Sequence, residues 1–342
     1  MLIYRSQQSV IVPDRAWEKG SMPMAVALLP DEESNGLLLF YLVRFPDSPL
    51  KNVLCLARSE DGHVWTKPDC GDGTNIVMHS SGNDVGWGEF MPTMILKDNQ
   101  EVDAEQRWKM VYWERPDPSM PPGICLAVSA DAKEWKPLFD RPIITSSNDA
   151  MSMVDAIPGK KTCFEEGQFL IYQQTFKHDP GLPTERDNLK GMRREISLWT
   201  CRDWKKGWWV GPITVLAPDE KDAPDLQFYW LTPFKTPDGA LGGLINCHHT
   251  ANQTMDVQLV SSQDGWTWSR ENNRHPVLEL GAQGRFDCGM VMAVAQPVMW
   301  RGRILLCYNG RATVHDGKPY YQDEPLPDPA HGIGLAEFSE IF

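Results

Sequence analysis

Carboxylates set just ahead of proline-marked apolar runs are the residues best placed to do chemistry in this chain. Gly88-Glu89-Phe-Met-Pro92 and Val154-Asp155-Ala-Ile-Pro158 each place an acid three residues before a proline. Asp287 stands in Arg285-Phe-Asp287-Cys-Gly-Met290, and Asp225 precedes Trp230-Leu-Thr-Pro233. A first position is weaker, with only Asp14 and Glu18 ahead of Ser21-Met-Pro23. Acids gathered in a partly enclosed site push their pKa values apart, so one keeps its proton while another ionises. That pairing is what glycosidic bond cleavage needs: a proton donor at the leaving oxygen and a carboxylate acting as base or nucleophile.

A second set follows apolar runs directly. It comprises Arg44, Trp113-Glu-Arg115, Gln173-Gln174, Asn246-Cys-His248-His249 and Asn309-Gly-Arg311. Trp113 and Trp230 offer flat faces to sugar C–H surfaces, while Arg115, Gln173, His248 and Arg311 can bond hydroxyls. Two long polar segments add more. His178–Glu195 carries Arg186, Arg193 and Arg194, and Ala312–His331 carries His315, Asp316 and His331. The catalytic expectation is Glu89, Asp155 and Asp287, with Asp225 in reserve. The binding expectation is Trp113, Arg115, Gln173, Trp230, His248, Arg194 and Arg311. His315 and His331 read as loop residues, and no cofactor or metal is expected.

The elements that position these residues come from a repeat. Ser59-x-Asp61-x-x-x-Trp65 recurs as Ser129-x-Asp131 to Trp135 and as Ser262-x-Asp264 to Trp268, with a degraded copy at Asp203-Trp-Lys-Lys-Gly-Trp208. The aspartates stand 70, 72 and 61 residues apart. An apolar run precedes each copy and another follows it: Asn75–Met78, Pro142–Thr145, Pro212–Leu216 and Pro276–Leu280. With two more runs upstream, each repeat of ~65–70 residues holds four antiparallel strands, the content of a propeller blade. A fifth repeat follows Leu280 with strands over 291–298, 303–308 and 332–337. It lacks a fourth strand, which Ser9-Val-Ile-Val-Pro13 is expected to supply, closing the ring. The expected fold is therefore a five-bladed, all-β propeller in one domain, residues 1–342. The Ser-x-Asp turns fall on the face away from the acids.

Composition agrees and excludes other classes. The net charge is −13 over 342 residues, which disfavours nucleic acid and anionic membrane surfaces. No apolar run reaches the ~20 residues of a membrane span. The eight cysteines include no CxxC pair, which argues against zinc and redox motifs. A secretory leader is not expected from Met1-Leu-Ile-Tyr-Arg-Ser. The expectation is a reduced, cytoplasmic protein of undetermined oligomeric state.

On the Ser-x-Asp-Gly-x-x-Trp turns, the acids at inner-strand starts and Phe286-Asp-Cys-Gly-Met290, nearly the whole chain resembles the five-bladed β-propeller glycosidases. That group includes β-fructosidases, arabinanases and xylosidases (glycoside hydrolase families 32 and 43) and the mannoside phosphorylases. The resemblance implies an axial pocket with three carboxylates and a carbohydrate substrate. The fructosidase Asn-Asp-Pro-Asn-Gly motif is absent, and the first repeat has no Asp at its inner-strand start. Two alternatives stand beside hydrolysis. A phosphorylase would use Arg186, Arg193, Arg194 and Arg311 for inorganic phosphate, and a non-catalytic propeller would only bind sugar.

Overall fold

The computed structural model describes residues 1–46, 50–83, 87–162 and 165–340. Apolar residues alternate or run on through short segments bounded by Gly, Pro and Asp, and these become strands. Among the described residues, helix is confined to four single 3-10 turns, such as Ala16–Glu18 and Trp204–Lys206. No helix is long and apolar enough to cross a membrane.

Three separate four-stranded antiparallel sheets follow the chain in order. The first joins Met22–Asp31, Gly36–Arg44, Val53–Ser59 and Ile76–His79. The second joins Met91–Lys97, Trp108–Glu114, Gly123–Ser129 and Lys136–Pro137. The third joins Met151–Asp155, Phe169–His178, Met192–Asp203 and Trp208–Leu216. Lys161–Thr162 and Glu165–Glu166 form a two-stranded sheet, and a nine-stranded sheet contains the other described strands. Its first part is the meander Leu226–Lys235, Leu241–His249, Thr254–Ser262 and Ser269–Arg270. Its second part sets Met290–Met292 and Val298–Trp300 against Arg303–Arg311, followed by His331–Phe338 and finally Leu2–Arg5.

Contacts divide the chain into two units, neither continuous in sequence. The first is Met1–Asp149 with Val294–Cys307 and Leu335–Phe342, and the second is Ala150–Ala293 with Tyr308–Gly334. In the first, Phe40, Leu54, Phe90, Ile95, Met110 and Tyr112 form the core. In the second, Leu170, Tyr172, Leu198, Phe228, Ile245 and Val260 do so.

The N-terminal strand differs from expectation. Leu2–Arg5, not Ser9–Pro13, pairs with the last strand, with Leu2 opposite Phe338 and Arg5 opposite Ala336. Ser9–Pro13 is irregular. Outer strands are also shorter than expected: around Pro142 and Pro276 only single bridges form, Ile124 to Ile144 and Val257 to Leu278. A proline has no N–H to give a ladder, so pairing stays local there.

The Ser-x-Asp turns are built alike. Asp131 Oδ1 accepts the Lys133 and Glu134 N–H groups at 2.9 and 3.0 Å, and Ser129 Oγ accepts the Ala132 N–H. Asp61 and Asp264 repeat this, and Trp65 and Trp135 donate their indole N–H back to the turn. These aspartates are turn locks. Seven cysteines carry free thiols, all but Cys70 fully buried, and Cys163 lies outside the described residues.

Candidate functional site

Strand register sorts each sheet into two ends. In the first sheet Met22 lies opposite Arg44, and in the second Met91 lies opposite Trp113. In the third Met151 lies opposite Gln173, and in the following meander Gln227 lies opposite His248. In the last, Met290 lies opposite Arg311. The polar residues that end second strands therefore share the end of their sheet with the start of the inner strand, as expected. The Ser-x-Asp turns occupy the other end, where Leu37 pairs with Ser59 and Leu241 with Ser262.

Asp155 is on that other end, paired with Phe169. It faces the charge of Lys235. The sequence match that placed it with Glu89 aligned two unlike prolines. Pro92 is the second residue of its strand, whereas Pro158 follows its strand. Counting from strand starts corrects this. Glu89 stands two residues before Met91, and Asp149 stands two residues before Met151. Asp149 is the matching acid, and the parallel of Gly88-Glu-Phe-Met with Asn148-Asp-Ala-Met was the available signal.

In the first unit, Glu89 and Asp149 share an electrostatic environment with Arg44. Arg44 Nε and Nη2 donate to Glu89 Oε2 at 3.2 and 3.0 Å. The Glu89 side chain is 44% exposed and so open to a reactant. Burial pushes the Asp149 carboxyl above the usual range; the Glu89 charge adds to the rise, while a backbone hydrogen bond and Arg44 oppose it. Glu89 is held from both sides. Asn52 Nδ2 donates to the Phe90 carbonyl at 3.1 Å, and the Arg115 N–H donates to the Gly88 carbonyl at 3.2 Å. Gly88 has no room for a Cβ, which would lie 2.6 Å from Arg115 Cβ.

Trp113 is buried and donates its indole N–H to the Trp87 carbonyl at 2.7 Å. Trp87 itself is 55% exposed, with φ of 70° in the left-handed region. A bulky residue held there is strained and needs such a clamp. Arg115 is committed to the Met120 carbonyl at 2.8 Å. Asp14 and Glu18 both bind Lys67 Nζ at 2.6 Å, a structural ion cluster.

The second unit holds a different cluster. Arg194 is buried and binds Asp187 through both guanidinium ends, with its plane 5.2 Å from the Tyr229 ring. Gln227 Oε1 accepts the Arg194 backbone N–H at 3.0 Å, while Gln227 Nε2 contacts Asp187 Oδ2 at 3.1 Å and His248 Nδ1 at 2.8 Å. His315 is 4.6 Å from His248, ring centre to ring centre. Burial keeps both imidazoles neutral, well below the usual histidine range for His248. Burial works to raise the Asp187 carboxyl, but the bonds and charge of Arg194 outweigh it and hold it low. His315, expected to be an ordinary loop residue, is thus part of this cluster; loop position alone carried no sign of it.

The remaining expected residues have structural partners. Asp287 is fully buried and accepts from Arg285 Nε at 3.1 Å and Tyr308 Oη at 2.7 Å. A Cβ on Gly281 would lie 1.9 Å from Asp287 Oδ1. An acid so enclosed is an anchor, which the motif Phe286-Asp-Cys-Gly could not reveal. Asp225 Oδ2 accepts the Ala251 N–H at 3.3 Å. Gln173 accepts from Trp199 Nε1 at 3.0 Å, and Trp230 donates to Ser152 Oγ at 2.6 Å. Three arginines from 178–195, of which Arg193 and Arg194 fall in the strand Met192–Asp203, are paired with aspartates: Arg186 with Asp316, Arg193 with Asp179 and Arg194 with Asp187.

No protein-family model matches the sequence, and no curated protein matches it. Solved structures do. A structure described as a glycoside hydrolase aligns over 100% of this chain and 93% of its own, with a TM-score of 0.66 at 12% identity. The chain has the fold of the β-propeller glycoside hydrolases. A thermostable family-43 glycoside hydrolase aligns over 98% of this chain and 91% of its own, with a TM-score of 0.58 at 14% identity. An N-acetylgalactosamine deacetylase from F. plautii, in complex with blood group B trisaccharide, aligns over 98% and 92%, with a TM-score of 0.59 at 14% identity.

Proposed function

We propose that this protein is a glycoside hydrolase built as a single five-bladed propeller domain, whose last blade is completed by Leu2–Arg5. One observation carries the reading. Two carboxyls at matching strand starts meet different surroundings beside one guanidinium: Glu89 is in an ion pair with Arg44, and burial pushes the Asp149 pKa upward. In this reading Asp149 gives its proton to the leaving glycosidic oxygen, and Glu89 acts as base or nucleophile. Arg44 holds the Glu89 carboxylate in place through their ion pair, and exposed Trp87 offers a stacking face beside it. Asp149 and Glu89 replace the trio of Glu89, Asp155 and Asp287 expected from sequence.

Hydrolysis is favoured over phosphorolysis because Arg186, Arg193 and Arg194 each carry an aspartate partner, leaving less positive charge for a phosphate dianion. The test is a screen of aryl glycosides with and without inorganic phosphate. Turnover independent of phosphate, lost by ~10³-fold or more in both Glu89→Gln and Asp149→Asn, is the expected result. Full activity in either variant refutes the assignment.

A further inference from the structure

We propose that Asp187, His248, Gln253 and His315 form a binding site for a first-row divalent transition metal, Zn²⁺ foremost. The site lies wholly in the second unit and is independent of the carboxylate chemistry proposed above. Ligand atoms of Asp187, His248 and His315 all lie within 4.8 Å of one another. His315 Nδ1 is 3.7 Å from Asp187 Oδ1 and 3.3 Å from Gln253 Oε1. Four ligands about 2.0–2.2 Å from a tetrahedral zinc ion stand roughly 3.3–3.5 Å apart. These spacings are long for hydrogen bonds and close to those of a shared cation.

A second observation points the same way. His248 is fully buried, yet its Nε2 has no hydrogen-bond partner. A buried polar atom without a partner is costly, and metal ligation is one way to satisfy it. The outer contacts suit ligands as well. His315 Nε2 is 3.3 Å from Tyr229 Oη, leaving Nδ1 for a metal. Gln253 Nε2 donates to the Thr250 carbonyl at 2.8 Å, which fixes Oε1 as the free end. Arg194 orients Asp187, whose Oδ1 also accepts the Asn188 N–H; Oδ2 accepts from Gln227 Nε2 as well, and that position is the one a metal would take. Two imidazoles with a carboxylate favour zinc-like ions over Ca²⁺ or Mg²⁺, which prefer all-oxygen sites.

Loading requires one rearrangement. Gln227 Nε2 faces His248 Nδ1, so the imidazole proton sits on Nε2. A metal on Nε2 moves that proton to Nδ1, and Gln227 must turn its carboxamide to accept it. Two bonds are given up: the one from the Arg194 N–H to Gln227 Oε1 and the one from Gln227 Nε2 to Asp187 Oδ2, which frees that oxygen for the metal.

The 342-residue chain, stripped with a chelator and dialysed, is titrated with Zn²⁺ by calorimetry and with Co²⁺ by visible absorption. The expected result is one metal per chain, with the intense Co²⁺ bands of a four-coordinate site. His248→Ala and His315→Ala are expected to weaken binding by more than the ~10–100-fold typical of losing an outer partner. The exposed His79→Ala leaves it unchanged. Circular dichroism and melting check that the variants fold, and His248→Gln and His315→Gln serve where the alanines do not. Absence of 1:1 binding in the wild-type chain overturns the proposal. So does 1:1 Co²⁺ binding with only weak six-coordinate bands, or Zn²⁺ affinity undiminished in folded variants.

Discussion

Asp149 and Asp155 are the same side chain six residues apart on either side of one short strand, and their surroundings give them opposite prospects. Burial raises the Asp149 carboxyl, whereas Asp155 lies at the far end of the strand near Lys235. Asp155→Asn is therefore expected to keep kcat/KM within about threefold of wild type, while Asp149→Asn abolishes it; the same glycoside assay reads both. The raised value also has a consequence for stability. The folded protein binds the Asp149 proton more tightly than the unfolded chain, whose value is near 3.8. Stability is thus lost as pH rises from that value through the folded pKa. Asp149→Asn removes the loss, so it should be more stable than wild type at pH 7 and equal to it at pH 3, read from paired denaturant titrations. Asp287 behaves differently. Removing its charge weakens the bonds that half-buried Arg285 and buried Tyr308 make to it. Asp287→Asn is expected to cost about 2–4 kcal/mol in the same titrations.

At the scale of elements, the repeat spacing was enough to place the turns. Ser129, Asp131 and Trp135 fill the roles their order implied, because an Asp side chain that caps two N–H groups makes a turn by local chemistry alone. Strand ends were legible where a polar residue directly followed an apolar run, as at Arg44 and Glu114. The inner-strand start at Met151 was not read, because the prolines do not distinguish Pro92 inside a strand from Pro158 after one; the parallel of Glu89-Phe-Met with Asp149-Ala-Met was the better signal, and pairing with Phe169–His178 decides it. Nor was the His248–His315 contact legible, since it joins residues far apart in sequence through a loop without periodic pattern. The turns themselves predict a separation of stability from activity. Asp131→Ala strips two N–H groups of their acceptor and is expected to cost about 1–2 kcal/mol with kcat unchanged. Reduced turnover at saturating substrate in a folded Asp131→Ala protein would contradict the assignment of that end of the sheet as structural.

For the whole molecule, the informative feature is that its two ends meet. Leu2–Arg5 lies along Phe338–Ala336, the Ser6 N–H donates to the Leu335 carbonyl at 2.8 Å, and the Ser339 N–H donates to the Met1 carbonyl at 3.0 Å. Nearby, His63 contacts Glu337 at 2.6 Å and stacks edge-on against Tyr4 at 5.0 Å. Without residues 1–6 the strand His331–Phe338 becomes an open edge, which invites pairing with another chain. Four or so main-chain bonds at roughly 1 kcal/mol each amount to ~4 kcal/mol. With an unfolding entropy near 2.1 cal/mol/K per residue, that lowers Tm by about 5 °C. Deletion of residues 1–6 is expected to show this drop in calorimetry, with dimers or larger species in size-exclusion chromatography. The companion variant is Val12→Asp, in the irregular segment that sequence alone favoured as the closing strand. Val12 is 60% exposed, so its replacement should move Tm by less than about 1 °C. The reverse ranking of the two variants would return the closing role to Ser9–Pro13.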